Sequence, residues 1–193
     1  GIDFCCGGRR SIAEACRELG RDPEVVVGEL AALSRTDAPE DFSTWSPDHL
    51  IDRIVNGHHA YVRRQIPVIT GFLTRLTAKH GSTRPELQRA KDIFTGLAEE
   101  LTHHMEKEET ILFPFIRAMA EARAAGGRLP QMPFGTIQNP VGMMEADHEQ
   151  AGADMWLLRN LTHGFQPPAD GCPTWRACYA ELAGFGRGLA ALP

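Results

Sequence analysis

The chain contains 193 residues, of which 42% are hydrophobic and 23% charged, and its formal net charge is −5. This composition is that of an ordinary globular protein, so disorder is not expected. No apolar run approaches the roughly 20 residues that a membrane-spanning helix needs, and no secretory leader is expected. The slightly acidic balance argues against nucleic-acid binding, because nucleic-acid-binding proteins carry basic patches that neutralise phosphates.

Five cysteines are present, and this odd number in a chain of this length does not indicate the disulfide framework of a small secreted protein. We therefore expect a reducing, cytoplasmic setting. Cys5 and Cys6 are adjacent and precede a Gly-Gly pair, which disfavours helix. Two neighbouring thiols suit redox chemistry, a metal or the cysteine of a partner. The alternative is a pair of small, buried hydrophobic residues.

The N-terminal segment predicts a small helical module. Helices are expected over about 11–19 and 22–34, and the second begins with an aspartate that can cap it and a proline at the first helical position. The polar stretch 35–43 is typical of a linker. The predicted domains are therefore a module over 1–40 and a larger domain over 45–193.

Four longer amphipathic helices are expected after the linker. Ser-Pro and Asn-Pro start signals, glycines near helix ends and apolar residues at spacings of three and four delimit them. They are predicted over about 47–79, 85–124, 139–164 and 175–189. Amphipathic helices of this kind pack together as a bundle, so the predicted fold class is all-α, with a short fourth bundle helix.

Polar side chains interrupt three of these apolar stripes. His104 and Glu108 are four residues apart and share one face of the second long helix, and Glu100 extends the row by one turn. His148 lies on the stripe of the third helix, and Glu145 precedes it by three residues. An unpaired carboxylate on such a face is costly to bury, so these groups need a partner.

The first long helix offers His58 and His59, and periodicity alone does not choose between them. Inward-facing His and Glu side chains on neighbouring helices are how bundles build dinuclear iron or manganese sites, and Glu108 is placed where it could bridge two metals. The alternative is a set of buried ionisable pairs without metal. Zinc is disfavoured because the cluster has no cysteine and too many carboxylates for a closed tetrahedral site.

Residues 3–8 (Asp-Phe-Cys-Cys-Gly-Gly), 104–114 (His-Met-Glu-Lys-Glu-Glu-Thr-Ile-Leu-Phe-Pro) and 144–149 (Met-Glu-Ala-Asp-His-Glu) resemble the bacterial iron–sulfur cluster repair di-iron proteins. These are cytoplasmic, hemerythrin-like proteins with a small N-terminal Cys-Cys domain, and the resemblance covers essentially the whole chain. It implies an up-and-down four-helix bundle, an oxo-bridged di-iron centre and a function in repairing clusters damaged by nitric oxide or oxidants. Iron donation and nitric oxide handling are the two chemistries it implies.

The resemblance also implies roles for individual residues. The family's metal ligands fall on His59, His104, Glu108 and His148. Its carboxylates near the iron fall on Glu100 and Asp147, and Glu145 is a further candidate beside His148. The paired cysteines fall on Cys5 and Cys6, which are candidates for redox or transfer chemistry.

The sequence departs from the family at the fourth helix, which in relatives ends in a His-x-x-x-Glu pair that completes the ligands of the second iron. In the register set by Trp175 and Leu189, the His position falls at about Leu192, and Pro193 is the last residue. We therefore expect a fragment or variant with an incomplete centre, or completion by another residue or chain. The four remaining ligands are expected to hold one metal, or two weakly.

The expected partners are damaged iron–sulfur proteins, with nitric oxide or oxygen as a small ligand and a second copy of the chain in a homodimer. Two alternatives remain open. One is a hemerythrin-like module that binds or senses oxygen or nitric oxide without repair activity, and the other is a bundle with a degenerate metal site. Whether the protein is an enzyme is left open.

Overall fold

A computed structural model describes residues 11–18, 20–32, 42–131 and 135–190. Every regular element in these ranges is helical, which confirms the predicted all-α class. The chain divides into two compact units, Gly1–Thr44 and Trp45–Pro193. Three residues singled out from the sequence, Cys5, Cys6 and Leu192, lie outside the described ranges.

The N-terminal unit contains two short helices, α1 (Ile12–Glu18) and α2 (Pro23–Ala32). Ser11 caps α1, because its Oγ accepts a hydrogen bond from the Glu14 amide at 3.2 Å while the Glu14 carboxylate accepts one from the Ser11 amide at 2.8 Å. Asp22 caps α2 through its side chain. The helical module predicted from these signals is confirmed.

The second unit is built from six α-helices and two π-helical turns in the part of the chain that the structure describes. In chain order they are α3 (Pro47–Arg53), a π turn (Ile54–His59), α4 (Ala60–His80), α5 (Pro85–Lys107), a second π turn (Glu108–Leu112), α6 (Phe113–Ala124), α7 (Gln138–Leu161) and α8 (Pro173–Ala190). Because each π turn runs directly into the next helix, 47–80 and 85–124 form two long bundle helices. With α7 and α8 they make the predicted up-and-down four-helix bundle.

Two apolar clusters fill this bundle. The larger lies between α4, α5, α7 and α8, and its bulkiest fully buried side chains include Phe94 and Phe185, whose rings meet edge to face at 5.6 Å. The smaller lies between α3, the second π turn, α6 and the start of α7, and its buried members are Ile51, Leu112, Phe113 and Met144. The predicted apolar stripes therefore face the interior.

Two of the described cysteines are fully buried, one in each unit. Cys16 lies in α1 and Cys178 lies in α8, and both side chains are 0% exposed. Burial raises the pKa of the Cys178 thiol to about 12, so this thiol stays protonated at neutral pH.

The structure differs from the prediction in the interior of the two long bundle helices. We expected continuous α-helix through 54–59 and 108–112, and both segments instead form a π turn. The third bundle helix also ends at Leu161, earlier than predicted, because His163 and Gly164 adopt positive φ angles of 51° and 76°. Among the described helices, none is both long and apolar enough to cross a membrane.

Candidate metal centre

Three bundle helices bring four of the predicted site residues together. His59 is the last residue of the first π turn and Glu108 is the first residue of the second. His104 lies one turn before Glu108 on α5, and His148 projects from α7. Along their helices, His59, Glu108 and His148 each stand between a member of the larger and a member of the smaller apolar cluster, so the polar site occupies the boundary between the two.

The Glu108 carboxylate is the centre of this group. Its Oε2 atom lies 2.9 Å from Nε2 of His59 and 3.4 Å from Nε2 of His104. Nε2 of His148 lies 3.0 Å from Nε2 of His104. One donor atom each from His104, Glu108 and His148 falls within 4.8 Å of the others, which is the spacing of groups that share one metal ion.

Burial is unequal across the group. His59, His104 and Glu108 are 5%, 4% and 8% exposed, whereas His148 is exposed to solvent. A cavity of about 70 Å³ adjoins all four side chains and is bounded by His58, by apolar residues of the first two bundle helices and by Leu189 of α8. The site therefore has a closed side at His59 and an open side at His148.

Each of the two buried imidazoles also contacts a carboxylate through its outward-facing nitrogen. Nδ1 of His59 lies 2.6 Å from Oε1 of Glu109, and Nδ1 of His104 lies 3.2 Å from Oδ2 of Asp147. A carboxylate on Nδ1 favours the tautomer that leaves Nε2 free to bind a metal, and this pairing is common around metal-bound histidines. The site thus presents Nε2 atoms inward from both rings.

A cation holds each of these carboxylates. Nη1 of Arg63 lies 2.9 Å from Oε1 of Glu109, and Nζ of Lys107 lies 2.8 Å from Oδ2 of Asp147. The Arg63 guanidinium holds the pKa of Glu109 below its usual range, against the opposing effect of partial burial.

The donor set fits a transition-metal ion. Imidazole nitrogens and a carboxylate, without thiolates, suit iron or manganese, and burying this many ionisable groups is costly unless they are paired or bind a metal. The donor atoms of His104, Glu108 and His148 therefore fit the predicted metal site.

Comparison with known proteins identifies the family. Residues 50–191 match the Hemerythrin HHE cation binding domain, and residues 1–34 match the N-terminal ScdA domain, a domain of unknown function. The iron–sulfur cluster repair protein YtfE of Cronobacter sakazakii is 32% identical over 178 residues, which cover 92% of this chain and 75% of that protein. The iron–sulfur cluster repair protein YtfE of Escherichia coli O157:H7 gives the same values. This chain belongs to the hemerythrin-like iron–sulfur cluster repair family.

The charges within the hemerythrin-like centre are strongly coupled. Burial alone would raise the pKa of Glu108, but hydrogen bonds and charge interactions with His104 and His59 outweigh it and lower this pKa to about 2. Burial alone would lower the pKa of His104, and Glu108 and Asp147 reverse this and raise it. Burial, with His104 as a like-charged neighbour, lowers the pKa of His148.

The three predicted near-metal carboxylates occupy different environments. Asp147 contacts His104 directly, as described above. Glu100 is exposed and lines, with His104 and Asp147, a cleft of about 190 Å³ beside the centre. Glu145 is exposed on α7, and the cluster of donor atoms found in the described residues does not include it.

Sequence analysis missed the outer groups Glu109, Arg63 and Lys107. A weak signal was available, because Glu109 follows Glu108 and Arg63 lies four residues after His59 on the same helix. That signal was not sufficient, since the pairing of Glu109 with His59 depends on how two helices align along their axes. Periodicity also left His58 and His59 equivalent, and the structure places His59 against Glu108.

Proposed function

We propose that this chain repairs iron–sulfur clusters damaged by nitrosative or oxidative stress, and that its bundle holds non-haem iron as a di-iron centre. The proposed ligands are His59, His104, Glu108 and His148. The observation that carries the proposal is that Oε2 of Glu108 lies 2.9 Å from Nε2 of His59 and 3.4 Å from Nε2 of His104, whose Nε2 atom in turn lies 3.0 Å from that of His148. The repair activity is supported by the YtfE relatives, which are named iron–sulfur cluster repair proteins.

The chemistry of the Glu108 carboxylate supports a site for two metal ions. A carboxylate has two oxygens and can bridge two ions, and bundles commonly use Glu in this way. The imidazoles of His104 and His148 face each other at 3.0 Å, a distance at which both rings can turn toward one ion. His59 presents its Nε2 atom to the Glu108 carboxylate as well.

Bound iron would supply a change of oxidation state and open positions for a diatomic ligand. The chain's own residues set the conditions for that chemistry. His59 and Glu108 are buried and restrict access of water, whereas exposed His148 leaves one side accessible to an incoming ligand or to a departing ion. Asp147, held by Lys107, orients His104.

The remaining parts of the proposal concern the setting and the partners. We propose that residues 1–40 form the Cys-Cys-Gly-Gly domain and that 45–193 form the metal-binding bundle. Damaged iron–sulfur proteins are the proposed targets, in the cytoplasm, with nitric oxide or oxygen as the small ligand. Cys5 and Cys6 are proposed to receive iron or a nitrosyl group, or to contact the target.

Metal analysis tests the centre. The purified chain is reconstituted anaerobically with Fe²⁺ and desalted. Between one and two irons per chain are expected, since a di-iron bundle holds two and the four proposed ligands would hold the second weakly. His104→Ala should remove most of this iron, because it deletes a buried donor. His103→Ala is the matched control, since His103 is the exposed neighbour on the same helix. An iron-free wild-type chain, or equal losses in the two variants, would contradict the proposed centre.

Repair itself needs a separate measurement. A nitrosylated iron–sulfur protein is incubated with the iron-loaded chain, and recovery of the cluster absorption and of the target's activity is followed. The Cys5→Ala/Cys6→Ala double variant is expected to retain its iron and to repair more slowly. Full iron loading without any cluster recovery by the wild type would instead favour a module that only binds or senses oxygen or nitric oxide.

A further inference from the structure

We propose that Glu109, held by Arg63, is the positioning residue that aims Nε2 of His59 into the metal centre. The inference rests on the proposed function, because it assigns a role toward the metal that the centre would bind. Glu109 is not one of the proposed metal ligands, so it would affect the metal only by holding the His59 ring.

The His59 ring is held on three sides by the second bundle helix. Glu108 contacts Nε2 at 2.9 Å, Glu109 contacts Nδ1 at 2.6 Å, and the Phe113 ring stacks on the imidazole with centroids 5.9 Å apart. Two consecutive glutamates therefore straddle one imidazole. They do so inside the π turn Glu108–Leu112, in which more residues per turn bring successive side chains closer together in angle than an α-helix would.

The chemistry of imidazole gives the Glu109 contact its direction. A neutral ring has one N–H and one lone pair, and a carboxylate accepts a hydrogen bond but cannot donate one. When Nδ1–H donates to Glu109, a neutral ring has its lone pair on Nε2, the atom that lies 2.9 Å from Glu108 and that would bind the metal. A ring that lacks this acceptor can flip or change tautomer, and then fewer molecules present a donor to the metal.

Arg63 completes the arrangement from the first bundle helix. It lies one turn after His59 on α4, so both partners of Glu109 come from the same helix while Glu109 itself comes from the second. The guanidinium balances the carboxylate charge and fixes the position of its Oε1 atom. Glu109 thereby has a defined orientation even though the Arg63 side chain is 46% exposed.

The side of the centre at His104 offers a comparison within the same molecule. Asp147 contacts Nδ1 of His104 at 3.2 Å, a longer distance than the 2.6 Å between Glu109 and His59. His104 also has a second imidazole beside it, because Nε2 of His148 lies 3.0 Å from its own Nε2. Loss of the outer carboxylate should therefore affect His59 more than His104.

The test measures Fe²⁺ affinity of the full chain under anaerobic conditions, by competition with a chelator, in wild type, Glu109→Gln and Glu106→Gln. Glu106 is exposed on the same helix, so its substitution removes the same charge close to the centre without touching His59. Glu109→Gln is expected to weaken binding by about 10- to 100-fold, the range found when outer partners of metal-bound histidines are removed. Glu106→Gln should stay within about twofold, in keeping with screened exposed charges.

A double-mutant cycle asks whether Glu109 acts through His59. In the His59→Ala background, Glu109→Gln should cause no further loss of affinity, because the ring that it orients is gone. Additive losses in the cycle, or equal losses in the two glutamine variants, would overturn the proposal. If the wild-type chain binds no Fe²⁺, the proposed function fails first and this inference fails with it.

Two more measurements keep the test informative if His59→Ala does not fold. Arg63→Gln and its control Arg64→Gln each change an exposed side chain. Arg63→Gln should weaken Fe²⁺ binding by up to about tenfold, and Arg64→Gln should leave it unchanged. The visible absorption of the Co²⁺-substituted chain reports the ligand geometry. It should change in Glu109→Gln and not in Glu106→Gln, and an unchanged spectrum would also overturn the proposal.

Discussion

The two apolar clusters of the bundle differ in size and in how regular the helices around them are. The larger cluster is surrounded by α4, α5, α7 and α8, whose α-helical backbone is uninterrupted, and even Pro67 is accommodated within α4. Among the described residues, the buried members of the smaller cluster come from α3, the second π turn, α6 and the start of α7, and none comes from α8. The proposed metal ligands lie at the boundary between the clusters, where both π turns occur. Regular α-helices are sufficient to pack the apolar side chains of the larger cluster. Where several polar donor atoms converge on one point, the helices instead change their pitch locally.

The largest expected effect comes from the larger cluster. Phe94→Ala removes a side chain that is 1% exposed and packs edge to face on Phe185, so the variant should lose about 3–5 kcal/mol of unfolding free energy. Urea denaturation of the metal-free protein measures this loss. Fe²⁺ affinity should change little at temperatures where the variant is folded, and a large loss of affinity would show that the larger cluster also shapes the centre.

In the metal-free protein, the stability contributed by the ionisable groups at the boundary between the clusters is expected to depend on pH. Glu108 has a pKa lowered from 4.5 to about 2 in the folded state, so its stabilising contribution is complete above about pH 4.5 and is lost as the pH falls toward 2. The shift corresponds to on the order of 3 kcal/mol. His104 has a raised pKa, so its contribution is complete below 6.5 and is lost as the pH rises through the folded-state value.

Denaturation midpoints measured across the pH range test this coupling. Stability should fall as the pH drops below about 4.5, and Glu108→Gln should flatten this acidic side of the curve. Near neutral pH the contributions of His104 and His148 oppose each other, because the pKa of His104 is raised and that of His148 is lowered. Glu86→Gln, at a position on α5 outside the centre, serves as the control. Parallel curves for wild type and Glu108→Gln would contradict the coupling between the carboxylate and its two imidazoles.

The smaller cluster should matter more for the centre than for the fold. Ile51→Ala removes a buried side chain of α3 that packs with Leu112 and Phe113, the residues that follow Glu108 and Glu109. Its stability loss should lie near the lower end of about 2–5 kcal/mol, because few neighbours surround the site. Ile69→Ala, in the larger cluster, should cost more stability. Fe²⁺ affinity should fall further in Ile51→Ala than in Ile69→Ala, and the reverse order would contradict the comparison.

The smallest expected effect concerns the packing of α8 against Tyr61, beside the larger cluster. A Cβ atom added at Gly188 would collide with the Tyr61 ring, whereas one added at Gly184 meets only the Arg187 side chain at 3.8 Å. The collision costs about 1–3 kcal/mol and the gain in helix propensity returns up to about 1 kcal/mol. Gly188→Ala should therefore lower the thermal midpoint slightly and Gly184→Ala should raise it. Equal shifts would mean that α8 is free to move away from Tyr61.

Much of the fold follows from local patterns in the sequence. The Ser46 and Asp22 caps, the proline start positions and the apolar spacing place the helices to within a few residues, because these signals act over one or two turns. The π turns were not predicted, since a change of helical pitch arises from contacts across the bundle. His104, Glu108 and His148 were identified as polar residues on apolar stripes. His59 was chosen over His58 only through the family resemblance.

Contacts with the outer groups could not be predicted for the same reason. Whether Glu109 meets His59, and whether Lys107 meets Asp147, depends on the relative axial position of two helices. The ligand roles themselves stay predictions until metal is measured. The predicted roles of Cys5 and Cys6 concern residues outside the described ranges and stay predictions as well.

The buried thiols make the stability of each compact unit separately measurable. Cys16 and Cys178 are both fully enclosed, so a thiol reagent can modify either one only while its surroundings are transiently open. The labelling rate at each position, resolved by peptide mass spectrometry, therefore reports an opening free energy for the unit that contains it. Adding Fe²⁺ should slow labelling of Cys178, because ligand binding to the folded bundle lowers its open population. Among the described residues, each unit thus carries a fully buried native thiol that reports on its opening.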